Sequence, residues 1–303
     1  MAADSTPSSA VEARSGPRLP GMFSRYKDRI EEELGRAVPE SDGADLHLLL
    51  RYHLGWVDRH GEPTASGSSQ GKALRPTLCM FACEALNPAS RASGNDYGKN
   101  RAMPAAAALE LIHNFSLLHD DIQDQDLERR HQPTAWSLWG IPKALVAGDA
   151  MQSTGDLAML KVVQEGVSPE VSLKVLAALI GSYLEMIEGQ CLDLEFEGRT
   201  DITTHEYLHM IACKTGALIR CGLETGALLA DGDEETVRAF ARFGEGLGQA
   251  FQIRDDYLGI WGDEATLGKA TGNDIRRRKK SYPVVFALER AGGAALDDMQ
   301  RIY

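Results

Sequence analysis

The segment MPAAAALELIHNFSLLHDD, residues 103–121, is apolar around nearly its whole circumference until its last two residues. At helical period, a stretch of that kind has no solvent face, so it must be a central helix surrounded by others. It ends in LLHDDIQDQDLERR, where Asp120, Asp121, Asp124 and Asp126 fall within seven residues and Arg129 and Arg130 follow. A buried helix that runs straight into concentrated charge is the feature any fold for this chain has to accommodate.

The flanking sequence is helical in period almost throughout. MFSRYKDRIEEELGRAV predicts a helix stopping near Gly35. LRPTLCMFACEAL predicts one starting at Pro76, as a first-turn proline. PKALVAGDAMQSTGDLAMLKVVQEG follows, then a long helix capped by Ser168 with Pro169 as its first residue. THEYLHMIACKTGALIRCGLETGALLA and DEETVRAFARFGEGLGQAFQIRDDYLGIWGD complete the series. WVDRHGEPTASGSSQGK and NPASRASGNDYGKN read as loops. There is no β-hairpin signal, alternating run or short-period repeat. The expected architecture is one all-α domain of roughly ten helices spanning residues 22–303, behind a Ser-, Ala- and Pro-rich leader, residues 1–21, expected to be disordered.

Composition narrows the function. The net charge of −12 argues against a nucleic-acid backbone as a general partner. No run of about 18 apolar residues is available to span a membrane. Cys79, Cys83, Cys191, Cys213 and Cys221 form no CxxC or Cys/His metal spacing and are expected as reduced, buried thiols of a cytoplasmic protein.

Asp120 and Asp124 are four residues apart, so both carboxylates leave one face of a helix, where like charges repel. A shared cation removes the conflict, and oxygen-only ligands suit Mg²⁺. A second acidic pair, Asp255 and Asp256, again ends an apolar helix. Cations are strung nearby: Lys72 and Arg75 in GKALRP, Arg129 and Arg130, Lys214 in CKTGAL, and Lys269, Arg276, Arg277, Arg278, Lys279 and Lys280 in GKATGNDIRRRKKS. In an acidic chain, this arrangement suits a phosphorylated ligand, with Arg forks and Lys point charges on phosphate oxygens. By itself, the RRRKK run reads as a solvated basic stretch.

In this order, GKALRP, LIHNFSLLHDDIQDQDLERR, EGQCLDL, KTGAL, FQIRDD and GKATGNDIRRRKKSYPVV resemble the landmarks of the trans-isoprenyl diphosphate synthases (polyprenyl synthetases) over about residues 70 to 285. The resemblance implies an isoprenoid-synthase-type helical bundle around a deep cavity, a homodimer, and head-to-tail condensation of isopentenyl diphosphate with an allylic diphosphate. Lys72, Arg75, His113 and Arg130 then match the isopentenyl diphosphate site. Asp120 and Asp124, supported by Asp121, match Mg²⁺ ligands, as does Asp255 with Asp256 beside it. Three ions are implied, with Mn²⁺ as a substitute. Arg129, Lys214, Thr215, Gln252, Lys269 and Lys279 match positions around the allylic diphosphate. Read without the resemblance, His113 would be a core or edge residue; Gln252 can hydrogen-bond diphosphate or stabilise cation charge, with a plain core amide as the alternative; His119 stays structural, and Tyr257 and Trp261 read as core packing.

In the implied reaction the allylic diphosphate leaves, the double bond of isopentenyl diphosphate attacks the cation, and the departed diphosphate takes the proton. Lys and Arg stabilise the leaving oxygens, and aliphatic walls exclude water. Phe115, five residues before Asp120 and about 7.5 Å up the axis, with small Ser116 beside it, matches the floor of the tail cavity. This implies a short-chain product, with twenty-carbon geranylgeranyl diphosphate favoured over the fifteen-carbon farnesyl or longer products. A terpene synthase on the same fold is the competing class, disfavoured because Lys72, Arg75 and His113 are present.

Three places depart from the family pattern. Gly259 stands where the second motif has a third aspartate, and Asp263 is too far along to replace it. His131 follows the arginines where Gly is common, and Arg278 stands where Gly is common before the lysine. Members also continue with further helices past the position of Tyr303, so the C-terminus is expected to be truncated.

Overall fold

The computed structural model describes residues 21–40, 45–64, 73–87, 97–130, 132–262 and 273–303. Lys72, His131, Asp263, Lys269 and the leader up to residue 20 lie outside the described residues.

The described chain is built from helices: α1 (Met22–Ala37), α2 (Asp45–His53), α3 (Leu74–Leu86), α4 (Tyr97–Gln123), α5 (Ala135–Trp139), α6 (Ile141–Leu160), α7 (Pro169–Glu197), α8 (Thr204–Ile211), α9 (Ala217–Leu229), α10 (Glu234–Trp261), α11 (Asn273–Arg276), α12 (Tyr282–Arg290) and α13 (Ala294–Ile302). A 3₁₀ turn, Lys161–Glu165, follows α6, and a π-helical turn, Ala212–Gly216, joins α8 to α9. The only strands among the described residues, β1 (Glu128–Arg129) and β2 (Gln132–Pro133), form a small antiparallel pair.

The apolar segment is indeed the central element. Residues from Ala105 to Leu109, with Leu111 and Ile112, are fully buried in α4, except Glu110 between them. Each buried Leu or Ile contributes about 1.5–3 kcal/mol, and α4 packs most extensively on α6, then on α3. α9 is the second hub, clasped by α10, α3 and α7.

Local signals set many ends. Ser168 Oγ accepts from the Val171 N–H at 3.3 Å, with Pro169 as the first helical residue of α7. Thr203 and Glu206 form a reciprocal capping box on α8. Asp233 accepts from the Thr236 N–H at 2.8 Å at the start of α10.

Several expectations are corrected. α1 runs through Gly35 to Ala37, since Leu34 on the same turn is buried and tertiary packing outweighs the glycine. α3 begins at Leu74, two residues before Pro76. The strand pair had no sequence signal because it is only two residues long on each side. Cys191 is exposed while the other four thiols are buried. Tyr257 and Trp261 are not core residues: 54% and 58% exposed, they stack on each other at 4.9 Å along the outer side of α10, whose buried side holds Asp256.

Candidate active site

The end of α4 and the loop after it carry the first acidic segment. Asp120 is half-buried and Asp124 exposed, while Asp121, on a different face, is buried and accepts from Arg129 Nε at 2.6 Å. The other Asp121 oxygen, Oδ2, is buried without a hydrogen-bond partner. Burial raises the Asp121 carboxyl to about 6 despite Arg129. Burial raises Asp120, and the crowding protein around its carboxyl partly desolvates and raises Asp124 although the residue reaches the surface; Lys214 opposes the shift in both. These carboxylates are crowded and incompletely compensated by the protein's own cations. Among the described residues, no three His, Cys, Asp or Glu side chains converge as a closed metal cage. Carboxylate oxygens without a complete protein cage fit an ion that takes its other ligands from water and phosphate.

Opposite them, the π turn presents Lys214 and Thr215. Lys214 Nζ pairs with Asp193 Oδ2 at 2.5 Å. Thr215 Oγ1 donates to Gln252 Oε1 at 2.8 Å, and Gln252 Nε2 donates to Asp256 Oδ1 at 2.9 Å. Asp256 also accepts from Tyr207 at 2.5 Å and from the Tyr282 N–H at 3.0 Å. The second acidic pair is therefore split by position. Asp256 is buried and spent on bonds within the protein, whereas Asp255 is exposed. Burial alone would lower the Lys279 amine, but Asp193, Asp274, Asp256 and Asp124 together raise it. That ammonium thus lies in the field of both acidic segments and joins them across one cleft. Arg277 adds a 2.6 Å ion pair to Asp126.

A second, cationic group gathers around Glu110 and His113, earlier on α4. Burial holds the Arg75 guanidinium down to about 10, with Glu110 opposing. His113 is held well below its ordinary value by burial, then by Arg75, Arg130 and Arg129. Burial also lowers Arg130, again opposed by Glu110. Arg75 Nε is buried without a hydrogen-bond partner. Here positive charge is concentrated around one buried carboxylate, ready for an anion.

Backbone strain gathers at the same places. Five non-glycine residues among those described have positive φ; Ala73 at 44°, Gln125 at 54° and Arg278 at 56° flank site residues, and Arg130 at 52° is one. Such conformations cost about 1–3 kcal/mol and persist where surrounding structure enforces them. Arg278 thereby explains why glycine suits that position.

Sequence reasoning missed two residues here. Asp193 lies inside EGQCLDL, four residues after Gly189, but its role depends on a partner, Lys214, from another element. His53, on α2, joins the cationic group: the fields of Arg129 and Arg130 reach it, and it bonds to the Asn114 backbone. No local pattern marks it. Phe115 lies buried, edge-on to Tyr183 at 6.2 Å and to His119 at 5.7 Å, and Ser116 Oγ donates to the His113 carbonyl. His119 is partly exposed and bonds to the Leu145 carbonyl at 3.2 Å. A polar cavity of about 260 Å³, bordered by Arg29, Glu32, Arg36 and Pro104, lies near the opposite end of α4 and is remote from the acidic segments.

The polyprenyl synthetase family profile matches residues 62–303. The chain is 42% identical to a (2E,6E)-farnesyl diphosphate synthase of Mycobacterium tuberculosis over 256 residues, 84% of this chain and 67% of that one. It is also 42% identical to a geranylgeranyl diphosphate synthase of the same organism over 278 residues, 91% of this chain and 74% of that one. The crystal structure of a polyprenyl synthetase from Streptomyces coelicolor superposes with a TM-score of 0.82 at 35% identity, covering 93% of this chain and 78% of the other. With this match over most of its length, on an isoprenoid-synthase helical fold, the chain belongs to the polyprenyl synthetase family and is a short-chain trans-prenyltransferase.

Proposed function

We propose that the protein condenses isopentenyl diphosphate with an allylic diphosphate and releases geranylgeranyl diphosphate. The observation that carries this reading is the pairing of two unlike anion sites along α4, around Asp120 and, two turns earlier, around His113. One mixes carboxylates with Lys214 and Lys279, and the other is cationic around Arg75, His113 and Arg130. The first suits a diphosphate that arrives with metal ions, and the second suits one that arrives without them. The two M. tuberculosis relatives make different products by name, so the twenty-carbon assignment rests on Phe115.

In this reading, Asp120, Asp124 and Asp255 hold Mg²⁺, with Asp121 and Asp256 bracing their neighbours. The bound ions would supply charge neutralisation for the departing diphosphate. Lys214, Thr215, Gln252, Lys279 and Arg129 hold the allylic diphosphate, joined by Lys269 outside the described residues. Arg75, His113 and Arg130, with Lys72, orient isopentenyl diphosphate. Buried Phe115 closes the tail cavity beside Ser116. No helix among the described residues is long and apolar enough to cross a membrane, and the reading places a homodimer in the cytoplasm.

Incubating the protein with Mg²⁺, labelled isopentenyl diphosphate and five-, ten- or fifteen-carbon allylic primers should yield a twenty-carbon product. A fifteen-carbon or longer product keeps the chemistry and removes Phe115 as the floor. Diphosphate release from an allylic substrate alone, without elongation, would replace the reading with a terpene synthase.

A further inference from the structure

Phe115 closes the tail cavity in the reading above, and a floor works only if its ring keeps one orientation. Two other rings fix it. His119, one helical turn later on α4, meets Phe115 edge-on at 5.7 Å and 83°, and Tyr183 of α7 meets it edge-on at 6.2 Å and 84°. Edge-to-face contact is an arrangement that aromatic quadrupoles favour. Phe115 and Tyr183 are both buried, so the Phe115 ring is gripped from two sides.

Both gripping rings are fastened to α6. The Leu145 carbonyl can only accept, so His119 donates to it from Nε2 at 3.2 Å, and Asp149 Oδ1 lies 3.9 Å from the same nitrogen. The imidazole reaches this place because Gly148 has no side chain: a Cβ there would lie 2.1 Å from His119 Nε2 and 2.4 Å from its Cδ2. Further along α6, Asp156 Oδ2 accepts from the Tyr183 hydroxyl at 3.4 Å, and the Gln152 side chain bonds to the same hydroxyl. The other Asp156 oxygen, Oδ1, is buried without a hydrogen-bond partner. A second glycine, Gly155, brings α6 against Ile112 of α4, where a Cβ would lie 2.9 Å from Ile112 Cδ1. Residues 145, 148, 149, 152 and 156 stand at i, i+3, i+4, i+7 and i+11, which makes them one ridge of the helix.

We propose that this ridge of α6 is a specificity device: through His119 and Tyr183 it holds the Phe115 ring across the tail cavity and so sets where chain growth stops. Gly148, Gln152 and Asp156 act through the two rings and are positioning residues. The unpartnered Asp156 oxygen adds a second barrier behind them, since pressing hydrocarbon against a carboxylate costs its remaining hydration. The inference rests on Phe115 being the floor, as assigned above.

The test sizes the chains made from labelled isopentenyl diphosphate and a fifteen-carbon allylic primer with Mg²⁺. It compares Gly148→Ala, Tyr183→Phe, Asp156→Ala, Asp156→Asn, Phe115→Ala and the double variant Phe115→Ala/Gly148→Ala with the unaltered protein, each checked for helicity and melting temperature. Tyr183→Phe keeps the ring and loses its anchor, whereas Gly148→Ala pushes the imidazole off the ridge. Each should raise the share of chains longer than the normal product about two- to tenfold, the range of one aromatic edge contact. The isopentenyl KM should stay within about twofold, because no diphosphate contact is touched. Asp156→Ala should lengthen chains likewise, while Asp156→Asn, which still accepts from Tyr183, should keep the normal profile. In the Phe115→Ala background, Gly148→Ala should add nothing, since the ring it acts through is gone. The inference is overturned by a normal profile in folded Tyr183→Phe and Gly148→Ala, or by equal lengthening from Gly148→Ala with and without Phe115. Unchanged products in Phe115→Ala would remove the floor itself. A failure of the unaltered protein to elongate any primer would remove the prenyl-transfer reading instead.

Discussion

His53 shows how much a single residue can owe to its surroundings. Burial, reinforced by Arg129 and Arg130, holds its imidazole at about 3, against a bond to the Asn114 backbone that favours the proton. An unfolded histidine titrates near 6.5. Between those values the unfolded chain binds the extra proton, so this contribution to stability is present above about pH 6.5 and is lost as pH falls. The limiting slope is about 1.4 kcal/mol per pH unit for each such histidine, and His113 acts in the same direction. Asp121, raised to about 6, works in the opposite direction in this window, so the test is a difference: between pH 7 and 5.5 the melting temperature of His53→Gln should fall less, or rise more, than that of the unaltered protein; an equal slope in the variant would show that His53 does not contribute. Phe115 carries the other prediction at this scale. Its ring meets Tyr183, whose hydroxyl reaches Asp156 Oδ2 at 3.4 Å. Phe115→Ala removes the inner half of this aromatic pair and should lengthen the product by at least one five-carbon unit, read by sizing the chains. A product profile identical to that of the unaltered protein would show that the floor lies elsewhere.

Among the elements, the π turn between α8 and α9 matters most, because it aims Lys214 at Asp193 and Thr215 at Gln252. π turns recur at functional sites. The turn can approach α7 closely because residue 189 has no side chain: a Cβ there would lie 2.3 Å from the Lys214 backbone nitrogen. Gly189→Ala gains helix propensity of about 1 kcal/mol, but the backbone cannot yield as a flexible side chain would, and overpacking costs about 1–3 kcal/mol. Net destabilisation with a raised allylic KM is expected. Gly246→Ala on α10, with nothing within 4 Å, should instead stabilise by up to about 1 kcal/mol. Denaturant unfolding of both variants checks the pair, and a stabilised Gly189→Ala with normal KM would contradict the close packing. These elements also mark what the sequence could reveal. The central α4, the caps at Ser168 and the one-face placement of Asp120 and Asp124 follow from period and spacing. The π turn does not, since CKTGAL reads as ordinary helix and its geometry is imposed by α7 and α10. The division of labour between Asp255 and Asp256 was equally hidden, because the partners of Asp256 come from Tyr207, Gln252 and Tyr282 on three different elements. His53 and Asp274 enter the cleft only through tertiary contacts.

At the scale of the whole molecule, α6 and α7 each have an apolar side too many. α6 turns Ala144, Ala147 and Met151 into the core yet leaves Leu145, Leu157 and Leu160 exposed on its other side. On α7, Val175, Leu179 and Met186 are buried, while Leu173, Ile180, Leu184, Ile187 and Leu194 form one exposed stripe at helical spacing, with Leu173 66% and Leu184 54% exposed. Single exposed leucines are ordinary, but a continuous stripe along a helix marks a surface that another chain covers. A second copy is the simplest occupant for a self-complementary helix pair, in line with the homodimer proposed above. Leu184→Arg places a charge in the middle of that stripe while leaving the buried side of α7 intact. Light scattering after size exclusion should find a dimer for the unaltered protein and a monomer for the variant, with little change in helicity. Because α7 also carries Asp193, nine residues or about 13.5 Å along from Leu184, the monomer should lose activity through a less rigid Lys214 pairing, recoverable in part at high protein concentration. A variant that remains dimeric would move the interface off α7; a monomeric unaltered protein would leave the stripe to some other partner.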